Sequence, residues 1–312
     1  VAVAAAGPYD QAERTIAERR AEGLFAGMSF TMSRPERSCH PERLLEGARS
    51  VVSAALAYYA PGSEPGPGEG SIARHARRDH YAVLREKLEA LGRRLGGAFR
   101  VLVDESDHVD REAAVRSGLG FYGKNTLVIV PGLGSWIVLG TLVTDRSIEP
   151  GEPMRRRCGS CRLCLDACPT GALVHEGVLD ARLCLSYWTQ ARTAIPEPIR
   201  SELGASVYGC DICQEVCPWN RGAEKRAAGK ESGEATVSLV DWLTARDKDL
   251  LDRYRRLYVP RHDPRFLRRN ALVALAASGG EEHEPLIERY ASSEDELLAE
   301  HARWTLARLR EG

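Results

Sequence analysis

Two stretches decide how this chain is built: CGSCRLCLDACPTGAL at 158–173 and YGCDICQEVCPWN at 208–220. Cys158, Cys161, Cys164 and Cys168 follow C-x2-C-x2-C-x3-C, and Pro169 comes directly after. Cys184, Cys210, Cys213 and Cys217 repeat the design with the first cysteine moved upstream by an insertion, and Pro218 closes it. The spacing puts three thiols on one tight loop, where they cap three irons of a small cube. The fourth thiol points away, and proline ends the local helix. Two such runs supply the ligands of two [4Fe–4S] clusters. By the exchange of fourth ligands between neighbouring clusters, Cys158, Cys161, Cys164 and Cys217 hold one cluster and Cys168, Cys184, Cys210 and Cys213 hold the other. A pair of structural zincs is the competing reading. Zinc sites use separated C-x2-C pairs and do not need a C-x2-C-x2-C-x3-C-P run.

The rest of the sequence limits what surrounds this cysteine region. In 312 residues there are nine cysteines, and eight of them fall between Cys158 and Cys217. A disulfide scaffold is a small domain with cysteines throughout, so this distribution points to a cofactor in a reducing compartment. Cys39, the ninth, reads as a plain loop residue. Hydrophobic residues make up 43% and charged residues 28%, which excludes a disordered chain. The formal net charge of -1 gives no global polyanion signal, so a nucleic acid would have to meet a local basic patch. Val1–Gly7 is apolar but lacks the basic flank of a secretory signal, and the missing initiator methionine suggests that the native N-terminus lies upstream. The uncharged stretch from Asn125 to Thr144 is interrupted by Pro131-Gly132-Leu133-Gly134-Ser135, so it reads as two buried strands, Leu127–Val130 and Trp136–Val143, rather than a membrane helix.

The first 150 residues mix strands and helices. Gln11–Gly23 reads as a charged helix, Ala48–Tyr59 as a core strand, and Pro61–Gly70 as a surface loop. Asp79–Leu95 has helical spacing, Arg100–Val103 is a short strand ending at Asp104, and Arg111–Ser117 is helical until Gly118-Leu119-Gly120 stops it. This pattern predicts an α/β class. After Gly233 the periodicity is helical throughout: Leu239–Tyr258, Phe266–Ala277, Glu284–Tyr290 and Glu294–Leu309. Between Arg246 and Asn270 nine Lys/Arg face four Asp/Glu, a net +5, while Glu281–Glu300 has a net -7. A basic stretch of that kind can meet phosphates, with Arg155-Arg156-Arg157 as a second basic spot. In GLGFYGKNT (118–126), glycines permit close backbone approach to a ligand, and Lys124 can donate to phosphate or amide oxygens.

The two cysteine stretches, with GLGFYGKNT and FLRRNALVAL (266–275), resemble the epoxyqueuosine reductase family from about Gly27 to Leu309. The resemblance implies a cytoplasmic, cobalamin-dependent, monomeric oxidoreductase with two [4Fe–4S] clusters. It acts on epoxyqueuosine at the wobble position of transfer RNA, removing the epoxide oxygen as water with two electrons and two protons. The implied order is an α/β cobalamin-binding domain over 1–150, a double-cluster ferredoxin-like domain over 151–232, and a HEAT-like helical region contacting tRNA over 233–312. An external low-potential donor supplies electrons to the clusters, which reduce the cobalt to the nucleophilic cob(I) state. Asp104 matches the family's proton donor, and Asp110-Arg111 match as well. Where relatives carry Gly-Pro this chain has Ser106-Asp107, which makes Asp107 a reserve candidate for the acid. Gly123, Lys124, Asn125 and Thr126 are the candidate cobalamin contacts. His80-Tyr81 inverts the family's order, so no role is carried onto His80. Two other readings fit the same cysteines: a corrinoid and Fe–S reductase of a small molecule, and an electron-transfer protein without an active site.

Overall fold

A computed structural model describes residues 1–227, 229 and 233–311. The chain forms two compact units: Val1–Tyr59, Asp79–Arg182 and Ile212–Ala228 make the first, and Ala60–Arg78, Leu183–Asp211 and Gly229–Gly312 the second. The composition shifts predict three consecutive domains. The structure groups the chain differently, because strands pair across long sequence separations and the cysteine region contributes to both units.

The first unit is built on a four-stranded sheet. Its strands are β1 (Ala2–Ala5), β2 (Ser50–Ala57), β4 (Phe99–Leu102) and β7 (Ile137–Thr144), in the order β1-β2-β7-β4. All neighbours are antiparallel, with Val52 opposite Leu142 and Leu102 opposite Thr141. The runs SVVSAALA and IVLGTLVT form the central pair because they are buried on both faces, which suits uninterrupted small and β-branched residues. The helix His80–Leu95 packs on β7 and β4, its first turn capped by the Asp79 carboxylate accepting from the Ala82 N–H at 2.8 Å. The expected strand Leu127–Val130 shrinks to β6 (Val128–Ile129), which pairs with β5 (Phe121–Tyr122) rather than with β7. Cys39 is fully buried against Tyr9, Val51 and Leu102, and burial pushes its thiol up to about 11. It is a core residue rather than a loop residue.

The second unit joins a small sheet to the C-terminal helices. β3 (Glu69–Ile72) lies between β8 (Ser206–Tyr208) and β9 (Thr236–Ser238), parallel to the first and antiparallel to the second. The expected surface loop therefore ends in a central strand. A Cβ on Gly70 would lie 2.5 Å from Val207 Cγ1 and 2.7 Å from Leu239 Cδ2, so only glycine fits between these neighbours. The predicted helix over 239–258 breaks into Leu239–Thr244 and Asp247–Arg253, because Ala245 and Arg246 are extended. Arg265–Ser278, Glu284–Ala291 and Glu296–Glu311 follow, and the first and second of these both pack on the third. No helix among the described residues is long and apolar enough to cross a membrane.

Candidate functional site

No two cysteines among the described residues are joined in a disulfide. In the first unit, the short helices Leu163–Asp166 and Ile212–Glu215 pack together and carry Cys164 and Cys213. Burial pushes the Cys164 thiol up to about 11, and the thiols of Cys217 and Cys158 add to the rise. Cys217 is raised too, by burial and then by Cys158 and Cys161. Thiols up to 59 residues apart thus feel one another. Thiols that repel one another in a buried place fit a cationic iron–sulfur core, which would hold them as thiolates. Among the described residues, no three His, Cys, Asp or Glu stand close enough to hold a single metal ion. Phe121, Ile129, Met154 and Trp219 pack around Cys217 and Cys158, with the Phe121 and Trp219 rings edge to face at 5.1 Å.

Asn220 explains the end of the second cysteine stretch. It is fully buried, its Nδ2 donates to the Gln214 carbonyl at 2.7 Å, and its Oδ1 accepts from the Ser135 N–H at 2.7 Å. Gln214 Oε1 also accepts from Tyr58 Oη and Ser135 Oγ, each at 3.1 Å. Cys168 follows the helix Leu163–Asp166 at the turn into Pro169.

In the second unit, Cys184 precedes the helix Leu185–Trp188, and Cys210 follows β8. Thr189, at the end of that helix, accepts the Gly209 N–H at 2.9 Å and so ties the two cysteine segments together. Gly209 has φ +73, and a Cβ there would lie 2.6 Å from Ala73 Cβ. Asp211 accepts from the Arg74 backbone N–H at 2.8 Å and from its guanidinium at 3.1 Å. Arg269 and Asn270 complete the arrangement from the helix Arg265–Ser278. Arg269 is fully buried and donates to the carbonyls of Trp188, Ala191 and Thr193, and Asn270 donates to those of Thr189 and Val207. Burial pushes Arg269 down to about 9.

The net +5 count for 246–270 therefore overstates the charge presented to solvent. Arg269 points inward. Arg246 pairs with Asp249, Lys248 and Arg255 with Asp252, Arg253 and Arg256 with Glu234, and Arg268 with Asp247.

Asp104 stands two residues beyond β4, exposed, at φ +55. Aspartate is among the few side chains that tolerate this left-handed region, and such backbone concentrates at functional sites. The loop around it is anchored on both sides. Arg85 donates to the Val103 carbonyl at 2.8 Å and to Glu105 at 2.9 Å. Asp107 accepts from Arg37 at 2.6 Å and from Arg100 at 3.1 Å. These guanidiniums hold its carboxyl below the usual range despite the opposing effect of desolvation. Asp107 is thus a loop anchor, and its reserve role as an acid is withdrawn: a carboxylate stabilised as an anion does not give up a proton near neutrality.

Asp110 opens the helix Asp110–Arg116, and its Oδ1 accepts from Thr141 Oγ1 at 2.8 Å. Desolvation pushes its carboxyl up to about 7, and the charges of Asp104 and Glu105 add to the rise. Tyr81 is strongly desolvated and feels Asp104 first among its charged neighbours. Tyr122 combines 43% exposure with a hydroxyl raised chiefly by desolvation. Tyr81 and Tyr122 lie inside stretches singled out in the sequence, yet neither is assigned a role there.

The GLGFYGKNT turn is tightly used by the protein itself. A Cβ on Gly120 would meet the Ile129 carbonyl at 2.6 Å, and one on Gly123 would meet Asn125 Oδ1 at 2.6 Å. Lys124 Nζ donates to Glu176 at 2.6 Å. Asn125 donates to the Cys213 carbonyl at 3.4 Å, and Thr126, at φ +67, accepts from Arg111 at 3.3 Å.

Residues 38–106 match the family model described as "Epoxyqueuosine reductase QueG, DUF1730", and 157–220 match "4Fe-4S double cluster binding domain". The epoxyqueuosine reductase of Bacillus anthracis is 32% identical over 290 residues, which is 88% of this chain and 76% of that relative. This chain belongs to the epoxyqueuosine reductase family. A solved epoxyqueuosine reductase with an epoxyqueuosine-modified tRNA-Tyr stem loop shares its fold with TM-score 0.89 at 30% identity, covering 99% of this chain and 85% of that one. The family member from Bacillus subtilis, described with an aspartate-bearing catalytic loop swung out of its active site, has TM-score 0.88 at 30% identity, covering 99% of this chain and 86% of that one.

Proposed function

We propose that this chain reduces epoxyqueuosine in tRNA to queuosine, with Asp104 as the acid that protonates the epoxide oxygen. Family membership carries the reductase activity and its tRNA substrate. The observation that supports the acid is the left-handed backbone of Asp104 on a loop anchored by Arg85, Arg37 and Arg100. Anchors on either side hold the loop that carries the carboxyl. The eight cysteines of 158–217 would hold two [4Fe–4S] clusters: Cys158, Cys161, Cys164 and Cys217 one, and Cys168, Cys184, Cys210 and Cys213 the other.

The half-exposed ring of Tyr122, within the 118–126 turn, offers an aromatic face that would suit a flat corrinoid. The 118–126 turn would meet it through backbone at Gly123 and Thr126 and through the Lys124 and Asn125 side chains. Bound cobalamin would supply two-electron reducing power at a single metal, fed by the clusters from an external donor. The protein's part is to orient the epoxide oxygen toward Asp104 and to deliver protons there. The helices beyond Leu239 would form the HEAT-like part that grips RNA, and the enzyme would work in the cytoplasm as a monomer.

The test is anaerobic purification with added cobalamin, followed by assay on tRNA carrying epoxyqueuosine. Queuosine formation with two clusters per chain is the expected result. A loaded protein that leaves this tRNA unchanged but reduces a small halogenated or epoxide substrate would replace the reading with the small-molecule alternative.

A further inference from the structure

Arg155, Arg156 and Arg157 directly precede Cys158. All three side chains are exposed, and none has a hydrogen bond or ion pair among the described residues. The arginines at 246, 253, 256 and 268 spend their charge on neighbouring acids, whereas these three keep theirs for solvent. The segment that carries them is fixed at both ends. Met154 and Cys158 pack in one apolar cluster with Phe121, Ile129, Cys217 and Trp219. Just before it, the Glu152 carbonyl lies so close to Gly118 that a Cβ there would overlap it. The three arginines therefore stand on a short arc tethered beside the Cys158 and Cys217 thiols.

The chain continues in the same character. Cys161 and Cys164 are half-buried, and between them Arg162 and Leu163 are exposed, Leu163 keeping 45% of its surface in solvent. Arg162 pairs with Asp166 at 3.7 Å, but both side chains are exposed, so this pair binds Arg162 weakly. From Pro153 to Leu165 there are four arginines and no acid, with Glu152 and Asp166 as the flanking acids. RNA phosphates would satisfy the arginines and leave the leucine in water. A protein patch with an apolar centre and an acidic rim would satisfy both.

We propose that Arg155, Arg156, Arg157 and Arg162, with exposed Leu163, form the docking surface for the electron donor, and that this donor is a small acidic protein carrying a low-potential flavin or iron–sulfur centre. This rests on the reading of Cys158, Cys161 and Cys164 as cluster ligands. Redox encounters bury less than about 1,200 Å², so charge rather than area brings the partners together. Three unpaired guanidiniums attract an acidic carrier without the cost of breaking ion pairs already made. The leucine then supplies a short-range apolar contact on the ligand loop itself. Each encounter passes one electron from the carrier, which is oxidised, to the cluster site, which is reduced. Two encounters supply the two electrons of epoxide-to-alkene reduction. The two protons come from solvent through the substrate site, and the oxygen leaves as water.

The experiment uses the anaerobically loaded enzyme and two reductants of opposite charge: reduced flavodoxin, an acidic flavoprotein, and reduced methyl viologen, a small cation. Cluster reduction is followed by stopped-flow bleaching, without tRNA, at rising ionic strength. The wild-type rate with flavodoxin should fall steeply with salt. The triple variant Arg155→Gln, Arg156→Gln, Arg157→Gln should lower that rate by about 10- to 100-fold at low salt and flatten its salt dependence. Leu163→Ser should weaken flavodoxin binding, read by calorimetry, and keep the salt dependence. The methyl viologen rate and the affinity for epoxyqueuosine tRNA should be unchanged in both. A wild-type flavodoxin rate indifferent to salt overturns the proposal without any variant. A triple variant that reacts with flavodoxin as fast as wild type also overturns it, and loss of tRNA affinity in that variant would assign the arginines to RNA instead. A wild type that accepts electrons from flavodoxin but leaves epoxyqueuosine tRNA unreduced would refute the functional reading and leave the docking surface standing.

Discussion

Replacing Asn220 with alanine tests the link between the fold and the cysteine ligands. Asn220 is fully buried, and its side chain serves two backbone groups, the Ser135 N–H and the Gln214 carbonyl, at 2.7 Å each. Alanine leaves both buried without these partners. At about 1–3 kcal/mol for each buried group left unsatisfied, the cost is about 2–6 kcal/mol. Water is not expected to fill the gap cheaply, since Gly134 presses so close that its Cβ would lie 2.0 Å from Asn220 Oδ1. A domain has about 5–15 kcal/mol in total, so the loss is large but local to the turn that begins at Cys217. In the proposed ligand set, Cys217 joins the second cysteine stretch to Cys158, Cys161 and Cys164. The expected result is a chain that folds, melts at lower temperature, and is purified anaerobically with about half the wild-type iron and sulfide. Electron paramagnetic resonance of the reduced protein should then show one cluster signal in place of two interacting ones. Full iron content together with an unchanged melting temperature would refute the reasoning, because it would mean that the network does not set the position of Cys217.

Asp104→Asn should keep iron and corrinoid but reduce queuosine formation by about 100-fold or more, read by single-turnover assay. Cys213→Ala should lose one cluster and all reduction, read by iron content and product analysis. Arg269→Met should destabilise the second unit by about 3–5 kcal/mol, since it removes the donor from the carbonyls of Trp188, Ala191 and Thr193, and a thermal melt would register it. Asp110→Asn should change how stability depends on pH. The folded carboxyl titrates near 7, above its unfolded value, so its stabilising contribution is complete below about pH 4 and is lost as pH rises through about 7. The wild type should therefore lose melting temperature relative to the variant between about pH 5.5 and 8, and parallel curves would contradict the assignment.

What could be read from the sequence was what is local in it. Cysteine spacing is a property of one loop, and the structure brings Cys217 into the field of Cys158, Cys161 and Cys164. The strands β2 and β7 announced themselves by β-branched and small residues buried on both faces. What could not be read depends on partners far along the chain. Gly70 looks like loop composition after Pro61, yet it is glycine because Val207 and Leu239 close in on it. The same limit applies to charge. A count treats every arginine as solvated, but Arg269 holds three carbonyls in the interior, and Arg253 and Arg256 spend their charge on Glu234. Asp107 makes the point from the acidic side. Beside Asp104 in sequence it looks like an equivalent acid, but Arg37 and Arg100 hold it as an anion, whereas Asp110, further along the chain, is kept partly protonated by its surroundings. Which of the neighbouring carboxyls can give up a proton is therefore decided by the guanidiniums and hydroxyls that folding places beside each, and proximity in the motif does not distinguish them.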